Sequence, residues 1–366
     1  MEKRTIALII ALILIAGAIV YLGQFSPNKS YTGTAVAPGS RTAINAEKAK
    51  LYPYAIELAK PSGFVNVDNI TIGSLIGKKV ILVDFWTYSC INCERTIPYL
   101  NMWYEKYHDQ GLEIIGVHTP EFQFEHNIDN VRRAVQKFGI KYPVVLDNDY
   151  ATWGSYGNQY WPEDYLIDID GFIVQRHIGE GDYDTTETEI QNLLRERVDA
   201  LGIRINITNT TVTPADVVNI DFSKVQSPET YFGSGRNQYL GNGKQGASGI
   251  QSLVLTGPVS PNTLYLGGTW NFTDQYAETT GNATVIFRYN AKNVYFVASA
   301  ATPTNVSVMV DGKPAGDIAG PDLTGGVATV KDEQLYQLVA GMDYGEHTLE
   351  LDIARQGLRA YTFTFG

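Results

Sequence analysis

Apolar residues are spaced in two different ways along the chain, and the change falls just after Gly202. Before it, continuous apolar runs alternate with helical spacing. Val80–Phe85 (VILVDF) is an apolar run broken by one acid, as expected of a strand covered on both faces. Ile91–Tyr107 carries helical periodicity with Gly111 just beyond as a stop. Leu112–Val117 reads as a second buried strand, and Val131–Phe138 as a helix stopped by Gly139. Tyr142–Leu146, Asp164–Ile169 and Phe172–Arg176 read as short strands, the last two joined by the turn signal Asp170-Gly171. Thr185–Leu201 closes the unit as an amphipathic helix. This order predicts an α/β domain over residues 61–204.

After Gly202 the spacing shortens. Residues 205–227, including Asn206–Ala215 (NITNTTVTPA), read as a linker. From 228 to 366, Ser252–Leu255, Ala283–Tyr289, Val294–Ala298, Val306–Val310, His347–Leu351 and Ala360–Phe365 alternate apolar and polar positions between Gly, Pro, Asn and Asp. That pattern predicts an all-β sandwich.

At the other end, Ile6–Leu22 is an uncharged apolar run that as a helix spans roughly 25 Å, near the lower limit for crossing a bilayer. Lys3 and Arg4 ahead of it favour a cytoplasmic N-terminus. Residues 1–24 therefore read as one N-terminal transmembrane helix, or as a signal peptide, with the remainder on the extracytoplasmic (periplasmic or extracellular) side. Residues 25–60, rich in Ser, Thr, Gly, Pro and Ala, read as a tether with one short helix. Asn-X-Ser/Thr triplets at Asn28, Asn69, Asn206, Asn209, Asn271, Asn282 and Asn305 agree with that compartment.

Composition narrows the chemistry. A net charge of −11 argues against nucleic acid, whose phosphates require clustered Lys and Arg. Two cysteines exclude a disulfide-dense scaffold and a multi-thiolate metal centre, and five scattered histidines without HExxH give a metal little support. No cofactor is called for.

The two cysteines stand together as Cys90-Ile91-Asn92-Cys93, after a strand and at the start of a helix. A helix N-terminus favours a thiolate on the first cysteine, and a two-residue spacer puts the second within disulfide reach. The chemistry that fits is thiol–disulfide exchange, with Cys90 attacking and Cys93 resolving. A bare CxxC is also compatible with half a zinc site or a structural disulfide. Asp84 is an acid inside an apolar strand, where an unpaired charge is costly.

The run from Val83 to Cys93 (VDFWTYSCINC) resembles the active-site strand and helix start of the thioredoxin superfamily, nearest to the extracytoplasmic TlpA/DipZ-like branch. The similarity continues through Gly116–Phe122, Leu146–Ala151, Tyr160-Trp161-Pro162 and Gly179–Tyr183. Ser227–Gly233, Glu333–Leu338 and Ala360–Gly366 resemble the β-rich domain that follows thioredoxin in DipZ-type proteins. The resemblance implies a thioredoxin fold followed by a β-sandwich similar to a carbohydrate-binding module. It implies a proton relay at Asp84 and a cis peptide at Pro162, with Trp161, Trp86 and Tyr88 lining the substrate groove. Glu121 and His118, at the carboxyl end of the strand from Leu112, are proton-shuttle candidates, Glu121 as the acid tuning Cys93. The expected substrate is a protein disulfide, with reduction the expected direction. DipZ-type proteins carry a multi-helix membrane module ahead of the thioredoxin domain, and a single apolar run stands in its place here. A separate CcdA/DsbD-like membrane electron-transfer partner is therefore expected.

Two other functions fit parts of the sequence. Thr87-Tyr88-Ser89-Cys90 satisfies the Thr-x-x-Cys of thiol peroxidases, although Val83 stands where those enzymes have proline. A glycan- or protein-binding module with incidental redox chemistry would use Trp270, Phe272, Tyr276 and Tyr289 as loop aromatics stacking on a sugar.

Overall fold

The computed structural model describes residues 42–366 apart from Asp216. The apolar run Ile6–Leu22 lies outside the described residues, and among these no helix is long and apolar enough to cross a membrane.

The first domain is built on a six-stranded mixed sheet. Its strands are β1 (Gly63–Val65), β2 (Val80–Trp86), β3 (Leu112–His118), β4 (Val144–Leu146), β5 (Glu163–Ile167) and β6 (Ile173–Ile178), in the order β1-β4-β3-β2-β5-β6. The central trio β4-β3-β2 is parallel, and β1, β5 and β6 are antiparallel to their neighbours. Every residue of β2 and β3 is buried, which explains their continuous apolar character. Alternation divides β2 between two cores. Val80, Leu82 and Trp86 face one, with helix α3 (Ile91–Tyr107) and helix α6 (Tyr183–Leu201); Ile81, Val83 and Phe85 face the other, with α2 (Ile72–Leu75) and α5 (Ala151–Tyr156). Helices α1 (Thr42–Lys48) and α4 (Ile128–Lys137) complete the unit.

Two segments expected to be loose are built into it. In the tether, Ala55, Ile56 and Leu58 are buried, and Tyr54 bridges to Phe172. Both Glu57 carboxylate oxygens accept amide hydrogens at the start of α2, Ile72 N at 2.8 Å and Gly73 N at 2.9 Å. In the linker, Ile207 is buried and Val212 donates its N–H to Glu187 at 2.7 Å. Their low apolar content concealed contacts made by a few residues each.

The second domain is all β, but its strands form one continuous ten-stranded sheet rather than two separate ones. They are β7 (Thr230–Tyr231), β8 (Gly249–Leu253), β9 (Leu264–Phe272), β10 (Ala277–Ala300), β11 (Thr304–Val310), β12 (Lys313–Pro314), β13 (Leu323–Thr324), β14 (Val327–Val330), β15 (Gln334–Ile353) and β16 (Leu358–Phe365). The segments expected at Ala283–Tyr289 and Val294–Ala298 are the two halves of β10, joined through a register shift between Ala291 and Asn293. Ala360 pairs with both Ala277 and Ala298, so the sheet curls back on itself around one apolar core. Trp270, Phe272 and Tyr289 lie in that core, at most 1% exposed, and are not loop aromatics open to a sugar. Tyr276 is half-buried against the Tyr361 ring at 5.3 Å.

The domains share an apolar cluster. Tyr295, Val297, Leu335 and Tyr361 of the β domain pack into the same core as Ile97, Leu100 and Trp103 of α3. Burying a side chain of this size stabilises by about 2 kcal/mol, enough for four of them to hold the contact firmly.

Candidate active site

Cys90 is the N-cap of α3, with extended backbone (φ −88°, ψ 114°), and its Sγ accepts the Cys93 N–H at 3.4 Å. Cys90 is half-buried and Cys93 buried, and both are free thiols. The helix therefore presents one sulfur at the surface and holds the other beneath it. Burial is the main cause that pushes the Cys93 thiol up; its hydrogen bond to Cys90 and the negative charge nearby act in the same direction.

Behind Cys93 lies Asp84, on the same β2 face as Leu82 and Trp86. It is 1% exposed and stands directly across from Asp164 of β5 in the antiparallel register. Asp164 alternates with Leu166, which puts it on this face too. Burial first, then the partner carboxyl, raises Asp84 well above the carboxylate range, and burial pushes Asp164 up to about 7. Both Asp84 oxygens and Asp164 Oδ1 are buried and find no hydrogen-bond partner among the described residues, an environment that favours the protonated form of a carboxyl. Gly116, the β3 partner of Asp84, leaves room for the neighbouring Trp86: a Cβ there would lie 2.8 Å from Trp86 Nε1 and 3.1 Å from Tyr142. Among the described residues, Trp86 Nε1 and Tyr142 Oη find no hydrogen-bond partner.

Across the mouth of the site the Trp161–Pro162 peptide is cis, and the Trp161 carbonyl oxygen is 3.7 Å from Cys90 Sγ. Trp161 Nε1 donates to the Thr119 carbonyl at 3.1 Å, and its ring lies 4.3 Å from that of Trp153. Tyr150 and Tyr160 are exposed nearby in the chain. The open aromatic wall is thus built from Trp161, Trp153 and Tyr150. Trp86 is fully buried and Tyr88 is 4% exposed, so neither offers the groove surface expected of it. Trp86 packs edge-on against the His118 ring at 5.1 Å, and Tyr88 lies between the His118 and Phe124 rings at 5.7 and 5.9 Å.

The remaining candidates are placed differently from their expected roles. His118 is fully buried; burial lowers its pKa to about 3, so its ring is neutral near pH 7 and a poor acceptor for a shuttled proton. The Thr87 hydroxyl faces His118 Nε2 at 3.4 Å, inside the protein, and is not available to hold a peroxide at Cys90. Glu121 Oε1 accepts from Tyr231 Oη at 2.8 Å and Arg236 Nη1 at 2.6 Å, both in the β domain. Its carboxylate is engaged there and not with Cys93.

Sequence reasoning missed Asp164 and Glu125. Asp164 carries the same signal as Asp84, an acid in an apolar strand, two residues after Pro162. Glu125 is fully buried; its Oε1 accepts the Ser89 hydroxyl at 2.7 Å, while Oε2 accepts the N–H groups of Glu121 at 2.6 Å and Phe122 at 2.8 Å. Nothing local in the sequence links Glu125 to Ser89. Asp168, Asp170 and Glu196 place carboxylates close enough to hold a metal, but Lys48 Nζ occupies their midst at 2.5, 3.0 and 2.6 Å.

A mixed sheet flanked by helices, a CxxC capping the central helix, a buried acid behind it and a cis-proline across from it define a thioredoxin-fold dithiol protein. Comparison with known sequences agrees. The Redoxin family matches residues 65–194, and the thioredoxin-like C-terminal domain matches residues 227–366. Thiol-disulfide oxidoreductase ResA of Bacillus anthracis is 33% identical over 137 residues, 35% of this chain and 74% of ResA. Protein DipZ of Mycobacterium tuberculosis and that of Mycobacterium bovis are each 40% identical over 319 residues, 85% of this chain and 43% of DipZ. The chain thus spans less than half the length of those relatives. It belongs to the redoxin family of thioredoxin-like thiol–disulfide oxidoreductases.

Proposed function

We propose that this protein reduces protein disulfides on the extracytoplasmic side of a membrane, through the Cys90–Cys93 pair. The observation that carries the reading is the asymmetry of the two thiols: Cys90 half-exposed at the helix N-cap, Cys93 buried against Asp84. The helix N-terminus favours a thiolate at Cys90, which attacks one sulfur of the substrate disulfide and expels the other as a thiolate. Cys93 then gives its proton towards the Asp84–Asp164 pair and attacks Cys90 Sγ, releasing the second substrate sulfur. The substrate gains two electrons and two protons, and the protein is left with a Cys90–Cys93 disulfide. Trp161 and Pro162 position the substrate chain beside Cys90, and Glu121 serves the domain contact instead of the chemistry.

A reductase must be re-reduced, and a separate CcdA/DsbD-like membrane partner would supply the electrons, with Ile6–Leu22 holding the protein at the membrane. The test is the redox equilibrium of the protein in glutathione and dithiothreitol buffers, read by thiol alkylation. A potential near −270 mV, as in thioredoxin, supports the reductase, and one near −120 mV marks a disulfide donor. A pair that never exchanges under any poise ends the catalytic reading.

A further inference from the structure

The contacts around the cysteine pair lead across the domain boundary on both sides. On the N-terminal side, Ser89 immediately precedes Cys90, and its hydroxyl is held by Glu125 at 2.7 Å. Glu125 is fixed by the backbone N–H groups of Glu121 and Phe122. Residues 121–124 are in turn gripped by the β domain. Glu121 takes Tyr231 Oη and Arg236 Nη1; Gln123 N–H donates to Gln275 Oε1 at 2.8 Å; the Phe122 and Phe124 rings meet Tyr361 at 5.2 and 4.8 Å. The Arg236 guanidinium lies 3.6 Å from the centre of the Tyr231 ring, which holds its charge over Glu121. On the C-terminal side, Asn92 lies between the cysteines, and its Oδ1 accepts from Arg95 Nη2 at 2.7 Å. Arg95 is 8% exposed, pairs with Glu180 at 2.6 Å and sits over the Tyr295 ring at 5.8 Å.

We propose that the β domain is a working part of the redox centre: Arg236, Tyr231 and Tyr361, through the 121–125 loop and Glu125, are positioning residues for Ser89 and so for the Cys90 thiolate. This rests on the thiol–disulfide reading above. The physical reason is short range. The helix N-terminus stabilises a thiolate only while Sγ stays aligned with the first amides of α3, and that effect is confined to the first turn. Cys90 holds its cap geometry because the residue before it is tied down, and the tie ends on the β domain.

The experiment compares the full chain with Tyr231→Phe, Arg236→Gln and Glu125→Gln, using Arg288→Gln as a control. Arg288 pairs with Glu346 within the β domain, away from this loop. Two quantities are read in each: the iodoacetamide rate at Cys90 at pH 7, and the equilibrium constant with glutathione. Tyr231→Phe removes one oxygen and keeps the fold intact. The expected result is that Arg236→Gln and Glu125→Gln both slow alkylation and shift the glutathione equilibrium about threefold, roughly 14 mV for a two-electron couple. Tyr231→Phe shifts both in the same direction by less, and Arg288→Gln leaves both unchanged. A purely structural role would lower Tm without moving the potential, and that outcome overturns the proposal. So does a Glu125→Gln effect with none from Arg236→Gln or Tyr231→Phe. If the unaltered protein does not exchange with glutathione at all, the failure lies in the redox reading itself.

Discussion

Two clusters of carboxylates lie in the same domain and have opposite consequences. Asp168, Asp170 and Glu196 surround the Lys48 ammonium, so part of their charge is offset by a side chain of the chain itself. Asp84 and Asp164 face each other behind Cys93 with no Lys or Arg paired to either among the described residues, so a bound proton is what would reduce their charge. A carboxylate neutralised by a fixed cation stabilises the fold and has no proton to exchange near pH 7. One neutralised by a proton is poised to give and take it, at a cost in stability. The first arrangement fits a structural role, and the second lies where the proposed resolving thiol, Cys93, would need a base.

The sharpest break of this comparison is Asp84→Asn. Removing the base should slow resolution of the mixed disulfide about 100-fold, in the range for a lost general base. Attack by Cys90 should change little. Stopped-flow reduction of a model disulfide, with trapping of the mixed disulfide, separates the two steps. The same substitution should stabilise the folded protein by about 2 kcal/mol at pH 7, as replacing a buried charge often does. Slower chemistry in a more stable protein is the signature that distinguishes a functional acid from a structural one. A variant that loses both would place Asp84 in the first class.

Lys48→Met tests the other cluster and should give the reverse. Withdrawing the ammonium leaves Asp168, whose side chain is fully buried, beside two further carboxylates. A loss of about 3 kcal/mol in denaturant unfolding is expected. The exchange rate of the folded fraction should stay at the wild-type value.

How far each cluster was legible depends on how local its signal is. Asp84 was readable because it interrupts the apolar run of a strand leading directly to the CxxC. Asp164 carried the same local signal, but its meaning depends on β5 lying beside β2 in a register that pairs the two acids. The boundaries of α3 were read from periodicity and the Gly111 stop. Lys48 lies in a stretch whose composition reads as a tether, and its partners are 120 or more residues away. Glu121 looked catalytic because it ends a strand next to the site; its true partners, Tyr231 and Arg236, belong to a domain whose contact face leaves no periodic trace. β9 was missed because Gly267 and Gly268 interrupt its alternation. Period and punctuation thus identified the elements and the cysteine pair, while pairings between distant elements stayed hidden.

The pH dependence of stability sharpens the comparison further. The folded-state pKa of Asp84 lies above its unfolded value, and that of Asp164 rises from 3.8 to about 7. Between those limits the native state binds more protons than the unfolded state, so the pair costs stability as pH rises from about 4 through 7 and nothing below that window. Unfolding free energy measured across this range should decline, and Asp164→Asn should flatten the decline by about 1 kcal/mol per pH unit or less. A wild-type profile already flat between these values would mean that the pair holds no proton.

The smallest expected effect concerns added cations. Asp168, Asp170 and Glu196 have the donor set of a calcium or magnesium site, since these ions take carboxylate oxygens. An ion arriving there must displace an ammonium held at 2.5–3.0 Å, whose donors already engage all three carboxylates. Binding to the native state raises Tm only when the ion is present well above its dissociation constant. Millimolar calcium should therefore move the wild-type Tm by less than about 1 °C. In Lys48→Met the same carboxylates lack their internal cation, and calcium should recover part of the lost stability. Recovery in the variant without a response in the wild type would show that Lys48 does the work of a metal there. An equal response in both would place the ion elsewhere and leave the lysine as an ordinary ion-pair partner.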